Sequence, residues 1–345
     1  MLHQRFTYLV ITLLLPQTTF ALPNFPLTVK YDKNINEEIQ PPPRKYSVSQ
    51  SVSPRLQWTN DGGYCGSLSI QQLALSYGVY LSQGQVRNHS TPGGGHDNEI
   101  VETNIASSLT TLKLTHDGWQ YKKQPTPQSV EYLTWIKSHL LQRHGIVWMI
   151  MLKGGRYPIY PALSPYGFYS HVEPVYGLFT NHPLNDTTWY PDDVLATSTD
   201  IAPFTVFREF KSLVSDVDQN NMSLCEGEYV GYACVYKKWG FGWAITGTMD
   251  QNTTKPIVPV SLSLDSSFES KSAWARGFTG TLTMTKLVLG TNYSIYRWNS
   301  VEEAYVDHHA IYQGSFVAKN ESYSWVDPVL LKQSGATYYR CQESE

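Results

Sequence analysis

Cys65 lies in a sequence context that suits a nucleophile better than a structural cysteine. It belongs to residues 60–67 (Asn-Asp-Gly-Gly-Tyr-Cys-Gly-Ser), where two glycines precede it and an apolar pattern with helical spacing starts at Cys65 itself. A thiol in the first turn of a helix lies at the positive end of the helix dipole, which favours the reactive thiolate. The alternatives are a small buried apolar residue or a disulfide with Cys341. Because no cysteine is close in sequence and the glycines allow a sharp turn, we expect the nucleophile.

A cysteine nucleophile needs a base, and the chain has ten histidines to supply one. His171 is the strongest candidate, because a histidine that opens a predicted strand is held rigidly and still faces a cleft. His182 lies in the turn that follows, where we expect it to be exposed. The other histidines fall in the leader, in polar loops, in a glycosylation sequon, in or beside a predicted helix and in the late β region.

We expect structural roles for the other three cysteines. Cys225 and Cys234 flank a stretch of eight residues that contains two glycines. In an oxidising compartment this predicts a local disulfide, which contributes about 2–3 kcal/mol through loop-closure entropy. No Cys-x-x-Cys motif or histidine pair lies beside them, so we expect no metal site. Cys341 has no clear partner.

The elements that must position Cys65 and His171 predict an α+β fold. Helical spacing of apolar residues predicts one helix that starts at Cys65 and another over residues 128–142. Runs rich in β-branched and aromatic residues follow, which predict strands. A helix first and strands later fit an α+β domain over residues 51–250 better than an alternating parallel sheet. The predicted strands are 146–152, 171–179, 194–199 and 243–248.

After residue 250 the pattern changes to short segments in which apolar and polar residues alternate, with turn residues between them. This predicts a small antiparallel β-sandwich over residues 256–345. Residues 289–293 (Leu-Gly-Thr-Asn-Tyr) resemble the tyrosine-bearing turn of fibronectin type III domains. The predicted strands are 257–264, 280–284, 293–298 and 338–341.

The N-terminal residues predict export. Arg5 precedes an apolar run over 6–15 and a small-residue cleavage site that ends at Ala21, which is typical of a signal peptide over residues 1–21. Ten apolar residues are too few for a membrane span, which needs about 20. Residues 22–50 are rich in proline and predict an extended arm. We therefore expect a protein that is secreted or lies in the lumen of the secretory or vacuolar pathway.

Six sequons predict N-linked glycans, at Asn88, Asn185, Asn221, Asn252, Asn292 and Asn320.

Composition narrows the classes of partner. The chain has 26 basic and 29 acidic residues, a net charge of −3, and no basic cluster, so we expect no nucleic-acid partner. No second long apolar run follows the leader, so we expect no membrane span. The glycine-rich residues 93–97 lack the lysine and hydroxyl residue of a phosphate loop. We therefore expect no cofactor.

The Gly-Tyr-Cys-Gly motif at a helix start, followed about a hundred residues later by a histidine that opens a strand, resembles the papain-like fold. It is most similar to the group related to the bacteriocin-processing (double-glycine) peptidases, and the resemblance covers about residues 52–250. It implies that Cys65 and His171 face one another across a cleft. It also implies that a polar residue on the next strand orients the imidazole.

On an antiparallel return strand, the residue beside the start of the first strand is Asp200. Asp192 and Asp193 precede the return strand and are poorer candidates. The papain-like fold also has an amide donor shortly before the cysteine, which binds the oxyanion together with the cysteine's own N–H. The usual spacing falls on Thr59, which carries no amide, so Gln57 is our first choice and Asn60 our second.

These residues predict a secreted thiol hydrolase that cleaves peptide or related amide bonds through a thioester acyl-enzyme, with a peptide or protein as substrate. The alternative is a recognition protein that keeps the papain-like scaffold without turnover, in which the β domain binds protein or glycan. The position of Gln57 favours the alternative. The joint presence of Cys65, His171 and Asp200 favours the enzyme.

Overall fold

The computed structural model describes residues 41–52, 55, 63–90, 99–101, 103–153, 168–198, 205–214, 233–238, 240–249, 258–265, 277–331 and 335–344. The described residues are mixed α and β, with 21% helix, 41% strand and mostly antiparallel sheets. This content is compatible with the predicted α+β class. The predicted signal peptide, the glycine-rich residues 93–97 and most of the predicted arm lie outside the described residues.

Five α-helices occur in the described part of the chain. They are α1 (Cys65–Leu75), α2 (Gln83–Asn88), α3 (Thr103–Thr111), α4 (Ser129–Leu141) and α5 (Phe210–Leu213), with 3-10 turns at Tyr121–Lys123 and Asp307–His309. The first nine strands are β1 (Tyr46–Ser49), β2 (Val79–Leu81), β3 (Leu114–Gly118), β4 (Gly145–Lys153), β5 (Phe168–Thr180), β6 (Val194–Ser198), β7 (Thr205–Glu209), β8 (Ala233–Cys234) and β9 (Phe241–Thr248). The later strands are β10 (Val260–Leu264), β11 (Gly280–Thr285), β12 (Asn292–Trp298), β13 (Ile311–Val317), β14 (Ser322–Val326) and β15 (Ala336–Glu343).

The first region forms an antiparallel sheet with the strand order β3-β9-β4-β5-β6-β7, to which β1 adds on β5 and β8 adds on β4. β4 and β5 pair along their length, with Ile146 opposite Val175 and Ile150 opposite His171. The predicted antiparallel return of β5 by β6 is confirmed, with Thr197 opposite Val175.

Helices cover both faces of this sheet. α1 packs on one face of β4 and β5, and α4 packs on the other. Because successive side chains of a strand point to opposite faces, β4 contributes to two separate cores. The residues of β4 on the α1 side are Val147, Met149 and Met151, and those on the α4 side are Ile146, Trp148, Ile150 and Leu152.

The C-terminal region forms two further sheets, one with the order β10-β11-β14 and one with the order β13-β12-β15-β2. Leu282, Tyr293 and Cys341 belong to the core between them. The Val288 N–H donates a hydrogen bond of 3.0 Å to the hydroxyl of Tyr293, in the turn that resembles fibronectin type III. Cys341 is therefore a core residue of this sandwich, and burial raises its thiol pKa to about 12.

The predicted boundary between the two regions is crossed by β2, a strand that sequence patterns did not predict. β2 follows α1, yet it pairs with β15, with Val79 opposite Tyr338. Tyr80 faces the sandwich core, whereas Val79 and Leu81 face the core beneath α1. The four-stranded sheet therefore lies between two cores and belongs to both regions.

Two other predictions concern N-linked glycans and membrane spans. Four sequon asparagines lie among the described residues, and all are exposed: Asn88, Asn185, Asn292 and Asn320. Asn221 and Asn252 lie outside the described residues. No helix in the described ranges is long and apolar enough to cross a bilayer.

Candidate active site

Cys65 is the first residue of α1, so the predicted helix start is confirmed. Tyr64 precedes it, and its carbonyl accepts the first helical hydrogen bond from the Leu68 N–H at 2.8 Å. Tyr64 offers no side-chain cap, and the first turn of α1 contains no acidic residue. The positive end of the helix is therefore left to other acceptors, which is what an oxyanion site requires.

Residues 99–101, which we call the cover segment, pack closely on the start of α1. A methyl group added at Gly66 would lie 2.0 Å from the carbonyl oxygen of Ile100. A methyl group added at Gly63, where φ is +61°, would likewise collide with the side chain of Glu99. Cys65 is consequently only 8% exposed, although its thiol is free.

The residue before the cysteine is fixed by a cation–π contact. The Arg87 guanidinium lies 3.5 Å from the centre of the Tyr64 ring, and both side chains are buried. Such contacts are worth about 2 kcal/mol when they are removed from water. Arg87 thus holds the entry to α1 in place.

α1 is tied to the sheet near its C-terminal end. Gln72 accepts a hydrogen bond of 2.6 Å from Ser198, which follows Thr197 opposite Val175. Both side chains are buried, so this hydrogen bond fixes α1 on β6.

The prediction that His171 opens a strand is wrong, because β5 begins at Phe168 and His171 is its fourth residue. The strand register assigns His171 to the face of the sheet opposite α1. It lies opposite Ile150, which belongs to the core on the α4 side. Among the described residues, no hydrogen bond joins the Cys65 thiol to an imidazole. The structure therefore assigns the predicted nucleophile and base to different faces of the sheet and does not bring them together.

Glu173 shares the face of His171, as strand alternation predicts. Its carboxylate accepts hydrogen bonds from both Arg208 Nη atoms, at 2.5 and 3.3 Å, and both side chains are buried. Arg208 also donates to Thr197 Oγ1 at 3.2 Å. The structure therefore supports a structural ion pair as the role of Glu173.

Asp192 and Asp193 lie with His182 at the far end of the β5–β6 hairpin, as the sequence indicated. Oxygen and nitrogen atoms of these three side chains lie within 4.8 Å of one another, which is close enough to hold a metal ion. However, Lys137 Nζ donates to Asp193 Oδ2 at 2.7 Å, and both side chains are fully buried. The lysine already neutralises this carboxylate, so we assign the group a structural role.

Several predicted residues lie outside the described part of the chain. They are Asp200, Gln57, Asn60, Thr59 and Cys225. The orienting acid, the oxyanion donor and the disulfide between Cys225 and Cys234 therefore stay predictions. The alternative disulfide between Cys65 and Cys341 is excluded, because both thiols are free.

Sequence reasoning missed the three features that fix α1, which are the cover segment, the contact between Arg87 and Tyr64, and the hydrogen bond between Gln72 and Ser198. Gln72 is fully buried in the helix that carries Cys65. A polar residue inside an apolar helical pattern was the signal available for it. The cover segment carries no comparable signal.

Comparison with protein-family models and with curated proteins finds no match to this sequence.

Proposed function

We propose that this protein is a thiol hydrolase of peptide or related amide bonds, with Cys65 as its nucleophile. The observation that supports it is a free cysteine as the first residue of a helix without a side-chain cap. A cysteine that served only to fill the core would not need this position at the helix terminus.

In the proposed mechanism, His171 accepts the thiol proton and Cys65 Sγ attacks the carbonyl carbon of the scissile bond. The N–H groups of the first turn of α1, together with the Gln57 amide, stabilise the oxyanion. His171 then gives the proton to the leaving amine, and water hydrolyses the thioester. Asp200 accepts a hydrogen bond from the imidazole and fixes its orientation.

This mechanism makes two structural demands. The His171 imidazole must reach the face of the sheet on which Cys65 lies, because its register assigns it to the α4 side. The cover segment must also open for a substrate, since Cys65 is 8% exposed.

The second candidate function is recognition without turnover. The face of His171 and the burial of Cys65 favour it, because each one separates the thiol from a base or a substrate. In that case the papain-like region acts as a scaffold, and the β-sandwich provides the binding surface.

Alkylation by iodoacetamide, combined with cleavage of a peptide library, separates the two functions. If the protein is a hydrolase, Cys65 is alkylated near neutral pH, peptides are cleaved, and Cys65→Ala abolishes both reactions without changing the thermal midpoint. Cys341→Ala is the matched control for alkylation, because the Cys341 thiol is fully buried and its raised pKa keeps it protonated. An inert Cys65 and an uncleaved library would instead indicate recognition.

The base is tested separately. His171→Ala should slow alkylation of Cys65 by tenfold or more and abolish cleavage, since general-base catalysis typically contributes factors of about 100 or more. His182→Ala, on the same hairpin, should change neither. Asp200→Ala should lower kcat with little change in KM, whereas Asp192→Ala should be mild. Equal effects of His171→Ala and His182→Ala would mean that the base has been misassigned.

A further inference from the structure

Three titratable side chains outside the candidate active site form a continuous hydrogen-bonded chain. His139 Nε2 lies 3.1 Å from Asp117 Oδ2, and His139 Nδ1 lies 3.1 Å from His144 Nδ1. Asp117 belongs to β3, His139 to the last turn of α4, and His144 to the turn that leads into β4. The chain therefore connects three elements at one corner of the first sheet.

The backbone forces the two histidines together. The carbonyl oxygen of His139 accepts hydrogen bonds from the N–H groups of Gln142 and His144, at 3.0 and 2.9 Å. Between them Arg143 adopts a left-handed φ of 62°. The His139 side chain is only 10% exposed, and the Trp135 ring packs against it edge-on. The turn and this packing hold the two rings next to each other.

The geometry accepts one proton on the pair but not two. When His139 alone is protonated, Nε2–H donates to Asp117 and Nδ1–H donates to His144. When both rings are protonated, two N–H groups face one another at 3.1 Å with no acceptor between them. Burial lowers the pKa of both histidines, the charge of His139 lowers that of His144 further, and Asp117 acts in the opposite direction.

The other charged groups on these elements have other partners, lie far from the two imidazoles or face solvent. On α4, Lys137 is paired with Asp193, and Glu131 lies in the first turn, at the far end of the helix. On β3, His116 Nδ1 contacts the carbonyl of Leu114. The side chain of Arg143 is exposed. Asp117 is therefore the charge that acts on the two rings.

The turn between the histidines is also tied to α1. The Arg143 carbonyl accepts a hydrogen bond of 2.6 Å from Gln50 Nε2, which lies 3.2 Å from the Tyr77 hydroxyl. The Tyr77 hydroxyl in turn donates to the Ile245 carbonyl at 2.6 Å. Tyr77 follows α1 directly, so a movement of the turn reaches the helix that carries Cys65.

We propose that Asp117, His139 and His144 form an acid-sensitive latch, which holds the end of α4 to β3 at neutral pH and releases it when both imidazoles are protonated in an acidic compartment. Both folded-state pKa values lie below the unfolded value of about 6.5. The unfolded chain therefore binds more protons as pH falls through this range. The stabilising effect of the latch is complete above about pH 6.5 and is lost as pH falls towards the folded pKa values. This inference does not depend on the proposed hydrolase activity.

Thermal unfolding of the full chain, compared between about pH 7.5 and about pH 5, tests the latch. For each histidine that stays neutral when folded, the unfolding constant rises by up to about tenfold per pH unit. His144→Asn keeps a hydrogen-bonding side chain that does not titrate, so its midpoint should fall less than that of the wild type. Asp117→Asn removes the charge that favours protonation, so its midpoint should fall more.

His309→Asn, which replaces an exposed histidine in the 3-10 turn Asp307–His309, is the control and should follow the wild type. If His144→Asn and Asp117→Asn lose as much as the wild type, there is no latch. Should either variant fail to fold, a proton NMR titration of the wild type decides the question. Two imidazoles that titrate below about pH 6.5 are expected, and titration of both at or above that value would overturn the proposal.

Discussion

The start of α1 is packed so closely that Gly66 has no room for a side chain. A methyl group there would meet the carbonyl oxygen of Ile100, which is a backbone atom that cannot turn aside. We predict that Gly66→Ala lowers the free energy of unfolding by about 1–3 kcal/mol, as overpacked sites do. The same change should displace the cover segment and speed alkylation of Cys65. Urea denaturation and the alkylation rate measure the two effects.

Ser67, the next residue, provides the matched control. It is fully buried in the same turn, and its hydroxyl has no hydrogen-bond partner among the described residues. Ser67→Ala should therefore be nearly neutral, because no hydrogen bond is lost. If Ser67→Ala is as destabilising as Gly66→Ala, the contact with Ile100 is not the cause.

Local sequence identified the helix start at Cys65 but could not assign a face to His171. His171 and Glu173 are two residues apart on β5 and therefore share one face of the sheet. Which face that is depends on the neighbouring strand, β4, which is apolar on both sides because helices cover both. Because neither side of β4 is polar, the sequence does not show which face of the sheet His171 occupies.

At the scale of elements, α4 is held to the β5–β6 connection by a buried ion pair. Lys137 Nζ contacts Asp193 Oδ2 and also donates to the Thr188 carbonyl, both at 2.7 Å. Lys137→Met leaves the Asp193 carboxylate buried without its charge partner. We predict a loss of about 3–5 kcal/mol in the free energy of unfolding, measured by urea denaturation.

Two further variants check this prediction. Lys122→Met, at an exposed position, should change stability by less than about 0.5 kcal/mol. Adding Asp193→Leu to Lys137→Met should recover part of the loss, because the unpaired charge is removed. A double variant that is less stable than the single variant would show that the charge is not what matters.

The elements that the sequence revealed are those with a clear pattern of burial. α4 was predicted over residues 128–142 and is found at Ser129–Leu141. The strands β13 and β14 were missed, because most of their residues are exposed and leave no buried stripe to read. The strand β2 was missed for a different reason. It has only three residues, and its partner β15 lies near the other end of the described chain.

For the whole molecule, the shared four-stranded sheet couples the two regions. The side of it that carries Val79 and Tyr338 completes the core beneath α1, and the Tyr338 hydroxyl donates to the Leu112 carbonyl at 3.1 Å. We therefore predict a single unfolding transition in calorimetry, with equal calorimetric and van't Hoff enthalpies. Two separable transitions, or a soluble and folded fragment that ends at residue 250, would contradict this coupling.

The pairing of β2 with β15 also sets the order of events during synthesis. β2 is made early, but the strand that hydrogen-bonds to it emerges near the end of the described chain. At ordinary rates of translation, the delay between them is on the order of tens of seconds. Through that interval the nascent chain carries an open strand edge and an unfinished core, which are the features that folding chaperones bind. A chain that lacks β15 would keep the open edge of β2 and the unfinished core, so we expect it to stay bound to chaperones or to aggregate.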